Sequence, residues 1–252
     1  MPASADTSTS APGLRRRRRE ATEADILRVA RDHLAEHGAA ALSLRAVARD
    51  LGMVSSGIYR YVASRDELLT RLIVESYLSL ADAVTRRHDA VPTQDLEGRW
   101  DAIADAFRRW ALDHPQDFTL LYGSPVPDYT APPEQTMTAG TAVLALLLTL
   151  LEDIRAAGRL ASGPPVDGPR AQEAVGHLLS DDFFAASTVD AVALTRGLAA
   201  WTLLVGVVTS EIFVQLGPLP RPDALFDVVS TAARGLVLAP SSTGSSTAGY
   251  TA

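Results

Sequence analysis

Cysteine and lysine are both absent from the 252-residue chain. Without cysteine there are no disulfides, no thiolate metal sites and no cysteine nucleophile. All 23 basic residues are arginine, in keeping with the codon bias of a GC-rich genome, and no function is read from that. Aromatic residues are scarce at 6%, so Leu, Ala and Val must fill the interior that a 47% apolar composition allows. No run reaches the ~18–20 uncharged apolar residues that a bilayer span needs. The nearest, 142–151 and 197–210, stop at charged or polar residues. The arginines near the start are followed by no apolar segment or cleavage signal, so no secretory signal is read there. A cytoplasmic protein without a membrane partner is expected.

The net charge of −7 conceals an uneven distribution. Residues 15–65 carry 11 arginines against 6 acids, a balance of +5, which leaves −12 for the remainder. A basic end on an acidic body suggests a polyanion partner for the basic end.

Ser, Thr, Ala and Pro without periodicity fill residues 1–14, and a Ser/Thr/Gly tail follows Pro240. Both read as disordered. Between them the spacing of apolar residues is helical, with no alternating strand run and no fixed repeat. The first helix is expected from Thr22, as cap, to the terminator Gly38, with Ile26, Val29, Ala30, His33 and Leu34 on one face. A short helix from Ser43 ends at Gly52, and another spans 55–62. Ser64 caps a long fourth helix, with Asp66 and Glu67 in its first turn complementing the helix dipole. Further helices are expected near 95–113, 115–122, 132–158, 170–180, 188–216 and 221–238.

Two short helices joined by a tight glycine turn are the helix-turn-helix geometry, whose second helix enters the DNA major groove. The residues here are distinctive. The segments Leu44-Arg45-Ala46-Val47-Ala48-Arg49-Asp50-Leu51-Gly52-Met53, Gly57-Ile58-Tyr59-Arg60-Tyr61-Val62 and Ser64-Arg65-Asp66-Glu67-Leu68-Leu69 strongly resemble the DNA-binding domain of the tetracycline-repressor (TetR) family. Farther on, Arg109-Trp110-Ala111-Leu112 and Leu121-Tyr122-Gly123-Ser124-Pro125-Val126-Pro127 resemble an actinobacterial subgroup of that family.

The resemblance implies an all-α fold: an N-terminal three-helix DNA-binding domain with a helix-turn-helix, and a C-terminal helical-bundle domain for ligand binding and dimerisation. The expected divisions are 1–19, a disordered leader with a basic arm; 20–66, the DNA-binding domain; 67–238, the ligand-binding and dimerisation domain; and 239–252, a disordered tail. It implies a homodimer on double-stranded operator DNA, acting as a repressor released by a small-molecule effector, with no cofactor. Arg45 is expected to read a base, since a guanidinium can take guanine O6 and N7 together. Ser55, Ser56 and Gly57 open the recognition helix and let its backbone approach the bases. Tyr59 is assigned to a phosphate, Arg60 and Tyr61 to the adjoining contact surface, and Arg65 to a phosphate. Such contacts set register, whereas base contacts set sequence. Arg15 to Arg19 are read either as lying along the backbone or as a minor-groove arm. One departure stands out: the family's recognition-helix cap falls on Val54, and the cap is expected to move to Ser55.

Inside the bundle the resemblance implies an effector pocket, with Phe107, Trp110, Phe118, Tyr122 and Trp201 as candidate lining. The last two long helices are the expected dimer interface. Gly197, Ala199, Ala200 and Gly206 would permit close approach, and Leu203, Leu204, Val207, Val208 and Phe213 would supply apolar area. Two other readings compete. A helical protein-interaction module would use the basic end on an acidic partner. A zinc hydrolase would use His33, Glu36 and His37, which spell H-x-x-E-H, but needs a third ligand and a catalytic framework. No catalytic or metal residue is assigned.

Overall fold

The computed structural model describes residues 11–163, 166–184 and 187–241. Among them the chain forms eleven α-helices and no strand, apart from an isolated antiparallel bridge between Leu160 and Leu238. The helices are α1 (Ala11–His37), α2 (Leu44–Asp50), α3 (Ser55–Ile58), α4 (Arg65–Asp89), α5 (Leu96–Asp113), α6 (Pro115–Tyr122), α7 (Pro133–Gly140), α8 (Ala142–Ala156), α9 (Gly168–Val175), α10 (Ala191–Ile212) and α11 (Pro222–Val237). Two compact units result. One comprises the described residues up to Ser79 together with His114–Gly140, the other Leu80–Asp113 with the residues from Thr141 on.

In the first unit, Ile26, Ala30 and Leu34 of α1 meet Val47 and Ala48 of α2, Ile58 of α3 and Leu68, Leu69 and Leu72 of α4. Each such aliphatic residue of Leu or Ile size contributes about 1.5–3 kcal/mol of transfer free energy. The helix ends follow local chemistry. Gly38, at φ 73°, accepts the left-handed turn that closes α1, and its N–H reaches Leu34 O at 3.0 Å. Ser64 Oγ accepts from Glu67 N at 3.1 Å while the Glu67 carboxylate accepts from Ala63 N, a reciprocal cap for α4. That second bond holds the Glu67 carboxyl below its ordinary range.

Three expectations are corrected here. First, α1 begins at Ala11, so Ala11–Arg19 are helix and not leader; residues 1–10 and 242–252 lie outside the described residues. Arginine is a good helix former, and Arg16–Glu20 and Arg19–Glu23 pairs at 3.4 and 2.9 Å relieve the charge of the run. Thr22 therefore sits inside the helix, its hydroxyl donating to Arg18 O. Second, the helix expected over 132–158 is broken at Gly140–Thr141 into α7 and α8. Third, α6, α7 and the first part of α4 group with the N-terminal helices and not with the bundle. The buried Asp117 of α6 contributes to that by binding Ser76 of α4 and Arg31 of α1, and Leu120 of α6 packs against the core of the same unit.

In the second unit α5 packs against α8, α10 and α11. Trp100 Nε1 donates to Ser230 O at 3.2 Å, the Phe107 and Trp201 rings lie 4.9 Å apart, and Arg108 forks onto both Glu211 oxygens at 2.7 Å. Ala239–Ser241 are tied down as well: Ala239 N donates to Arg159 O and Ser241 N to Glu97. The start of the expected tail is thus part of this unit. By length and composition α10 is apolar enough to cross a membrane when its two charges are allowed for. It carries Arg196 and Glu211, and Ala200, Leu204 and Val208 are fully buried in the unit, as in the core helix of a bundle.

Candidate nucleic-acid interface

The interface is built on the α2–turn–α3 segment. Leu44, Val47 and Ala48 anchor α2 to the core. The helix closes on Gly52 at φ 66°, with Gly52 N donating to Arg49 O and Met53 N to Ala48 O. This double closure is the Schellman arrangement, and it turns the chain sharply enough to start α3 at Ser55. Ser43 and Val54 occupy the two N-cap positions without a side-chain cap bond, and Ser55 is already the first helical residue. The cap does not move to Ser55. Tertiary packing of Ile58 and Val62, both almost fully buried, holds this short helix in place of a cap.

α3 is a single turn, Ser55–Ile58, continued by turn structure through Tyr61. Ser55, Ser56, Tyr59 and Arg60 are exposed together on this segment, and Arg45 is exposed in the first turn of α2. Gly57 between them is buried. A Cβ there would stand 3.3 Å from Cγ2 of the exposed Val54 and 3.8 Å from the Arg60 guanidinium, so any side chain at this position would press on the exposed surface of the segment. Tyr61 is half-buried, with the Arg19 guanidinium 5.6 Å above its ring. Arg65 donates Nη2 to the carbonyls of Ala39 and Ala40 at 3.0 and 3.3 Å. Its guanidinium therefore cross-links the turn between α1 and α2 to the start of α4.

Two features escape sequence reasoning. His33, largely buried, lies 2.7 Å from Asp50 and ties α1 to α2; that bond holds the Asp50 carboxyl below its ordinary range. The neighbouring His37 pairs with Glu36 at 3.6 Å, so the H-x-x-E-H residues serve local contacts within the DNA-binding unit. The second feature is a cleft of about 530 Å³ between α1 and the end of α3, lined by Arg15, Arg18, Arg19, Thr22, Arg60 and Tyr61. The spacing of 15, 18, 19 and 22 is one helical face, a signal hidden when the arginines are read as a run.

The candidate effector residues divide between the units. Phe107 and Trp110 are buried in the second unit with Trp201 against Phe107; Phe118 and Tyr122 stack at 5.0 Å in the first. Burial pushes the Tyr122 hydroxyl well above its ordinary range, with Tyr77 adding to the effect.

Residues 26–72 match the family of bacterial regulatory proteins, tetR family, and residues 100–233 match the tetracyclin repressor-like C-terminal domain. The HTH-type transcriptional regulators Rv1816 of Mycobacterium tuberculosis and Mb1846 of Mycobacterium bovis are each 43% identical over 223 residues, covering 85% of this chain and 92% of theirs. The crystal structure of SCO4313 is 32% identical and superposes with a TM-score of 0.71, covering 87% of this chain and 98% of that one. Helix-turn-helix geometry, both family matches and whole-length relatives agree: this chain belongs to the tetR family of bacterial regulatory proteins and is a transcription regulator, not an enzyme.

Proposed function

We propose that the protein represses transcription by binding a palindromic operator as a homodimer, and that a small molecule releases it. The observation that carries this is the exposed set Arg45, Ser55, Ser56, Tyr59 and Arg60 on a helix-turn-helix whose opposite face is locked into the core. Arg45 and the small serines face the base edges. Tyr59 and Arg60 hold phosphates, and Arg65, which supports the turn beside them, takes another.

One such unit reads few bases, which favours a two-fold dimer on two half-sites. The apolar surface for that dimer lies on α10 and α11: Leu203, Phe213 and Val228 are 41%, 37% and 67% exposed, with Ala199 and Gly206 beside Leu203 along α10. Ala200, Leu204, Val207 and Val208, expected at the same interface, are buried in their own unit, and Gly197 packs against Leu151 of α8.

The effector is taken within one unit, by Phe107, Trp110 and Trp201 of the second or by Phe118 and Tyr122 of the first. Release follows if the effector favours the DNA-incompetent arrangement by several kcal/mol. The cytoplasmic location follows from where the operator is. Selection of bound sequences from random duplex DNA tests the proposal. Recovery of a palindrome supports it, and recovery of no site, before and after refolding to strip any co-purified ligand, overturns it.

A further inference from the structure

The arginine run is not a flexible arm. It is the first part of a continuous α1 that begins at Ala11, and its register directs Arg15, Arg18 and Arg19 toward Arg60 and Tyr61 around one cleft of about 530 Å³. Arg19 is pinned there by three contacts: Nε to Glu23 at 2.9 Å, Nη2 to Arg60 O at 3.3 Å, and the guanidinium over Tyr61. Arg16 lies outside the cleft lining and pairs with Glu20. Among the described residues, no carboxylate lies within ion-pair distance of Arg15, Arg18 or Arg60. Three guanidinium groups thus converge on a concave surface that no acid neutralises, adjoining Tyr59 of the recognition segment.

We propose that this cleft is a phosphate clamp for the DNA backbone flanking each half-site, a role that rests on the operator-binding reading above. The ligand is a run of phosphodiesters, because guanidinium forks match phosphate oxygens and three of them line one cleft. The helix itself is too wide for the minor groove. An α-helix with side chains is roughly 10–12 Å across and the groove about 6 Å wide. A helical arm therefore lies on the backbone. Because α1 is also the scaffold of the helix-turn-helix, the clamp sits at a fixed offset from Arg45 and Ser55 and sets the register of those base contacts.

The test uses the full-length protein and the duplex recovered by sequence selection. Arg15→Gln/Arg18→Gln removes two exposed charges while keeping good helix formers. A dimer loses four such contacts, so the expected result is a slope of log K against log salt shallower by roughly 3–4, affinity weaker by roughly a hundred- to a thousandfold near physiological salt, and an unchanged sequence preference. Ala21→Pro, which breaks α1 ahead of the core residues, is expected to reproduce the loss. Ethylation interference should lose contacts at phosphates outside the half-site. An unchanged salt slope in the double variant overturns the clamp, as does full affinity in Ala21→Pro. Loss of the selected base pattern in the double variant overturns it too, by making the arm a base reader. If the wild-type protein selects no sequence, the operator reading itself has failed, an outcome separate from these.

Discussion

Arg31 of α1 reaches Asp117 of α6, Nε to Oδ1 at 3.2 Å, although 86 positions separate them in the chain. Asp117 is buried and its Oδ1 also accepts from Ser76 Oγ of α4, while Arg31 continues to Glu75 at 2.8 Å. Removing the carboxylate charge leaves a half-buried guanidinium with one acid fewer and a buried serine with a poorer acceptor. Asp117→Asn is expected to lower stability by about 1–3 kcal/mol, read by urea unfolding. Because α6 is joined to the DNA-binding helices by this contact, the same variant should also weaken operator binding. Full stability with wild-type affinity would show the contact to be inert.

Arg45 and Arg65 are expected to fail in different ways. Arg45→Ala, at an exposed position in α2, should leave stability intact and relax sequence choice at particular base pairs by about 1–3 kcal/mol. Arg65→Ala should weaken specific and random DNA alike. It should also cost about 1–2 kcal/mol of stability, because the carbonyls of Ala39 and Ala40 lose their donor. Competition binding beside thermal unfolding separates the two, and equal behaviour of the variants would contradict the assignment.

Glu152 supplies a pH dependence. Burial alone would raise its carboxyl, but donation from Ser187 Oγ and from the backbone and hydroxyl of Thr188 overcomes this and lowers it to about 2. A carboxyl depressed in the folded state stabilises fully above its unfolded value of about 4.3 and loses that contribution as pH falls toward 2. With the side chain one-quarter exposed, Glu152→Gln is expected to cost about 1–2 kcal/mol at pH 7 and to flatten the acid limb between pH 5 and 2. Parallel stability profiles for the two proteins would refute this.

Val214 closes α10 with φ at 51°, where its N–H meets Glu211 O and Gln215 N meets Ser210 O. Glycine or asparagine normally fills that left-handed position, and a β-branched residue there costs roughly 1–2 kcal/mol. Since Val214 is 58% exposed, Val214→Asn loses little burial. It should gain about 0.5–1 kcal/mol in denaturant titration; a loss would mean that the exposed valine is covered in the assembled protein.

Much of this molecule is set by local rules that act within a few residues. The glycine at 38 must end α1 and the glycine at 52 must turn α2 toward α3, because each takes a positive φ that other residues resist. Ser64 with Glu67 must start α4. The apolar spacing that identifies the helices also identifies the faces they bury, and the motif from Leu44 to Leu69 is dense enough to be read without coordinates.

What tertiary structure decided depends on partners far away in the chain. Whether Arg15–Arg19 coil or stay helical turns on a helix nucleated downstream and on Tyr61 and Arg60 waiting beside it. Which side of the one-turn α3 is presented outward turns on Ile58, which must be buried. The placement of α6 with the DNA-binding unit draws on a buried carboxylate with two donors, Arg31 and Ser76, and on Leu120 packed against the core of that unit. Periodicity carries none of these, since it records which face of a helix is apolar and not what that face will meet.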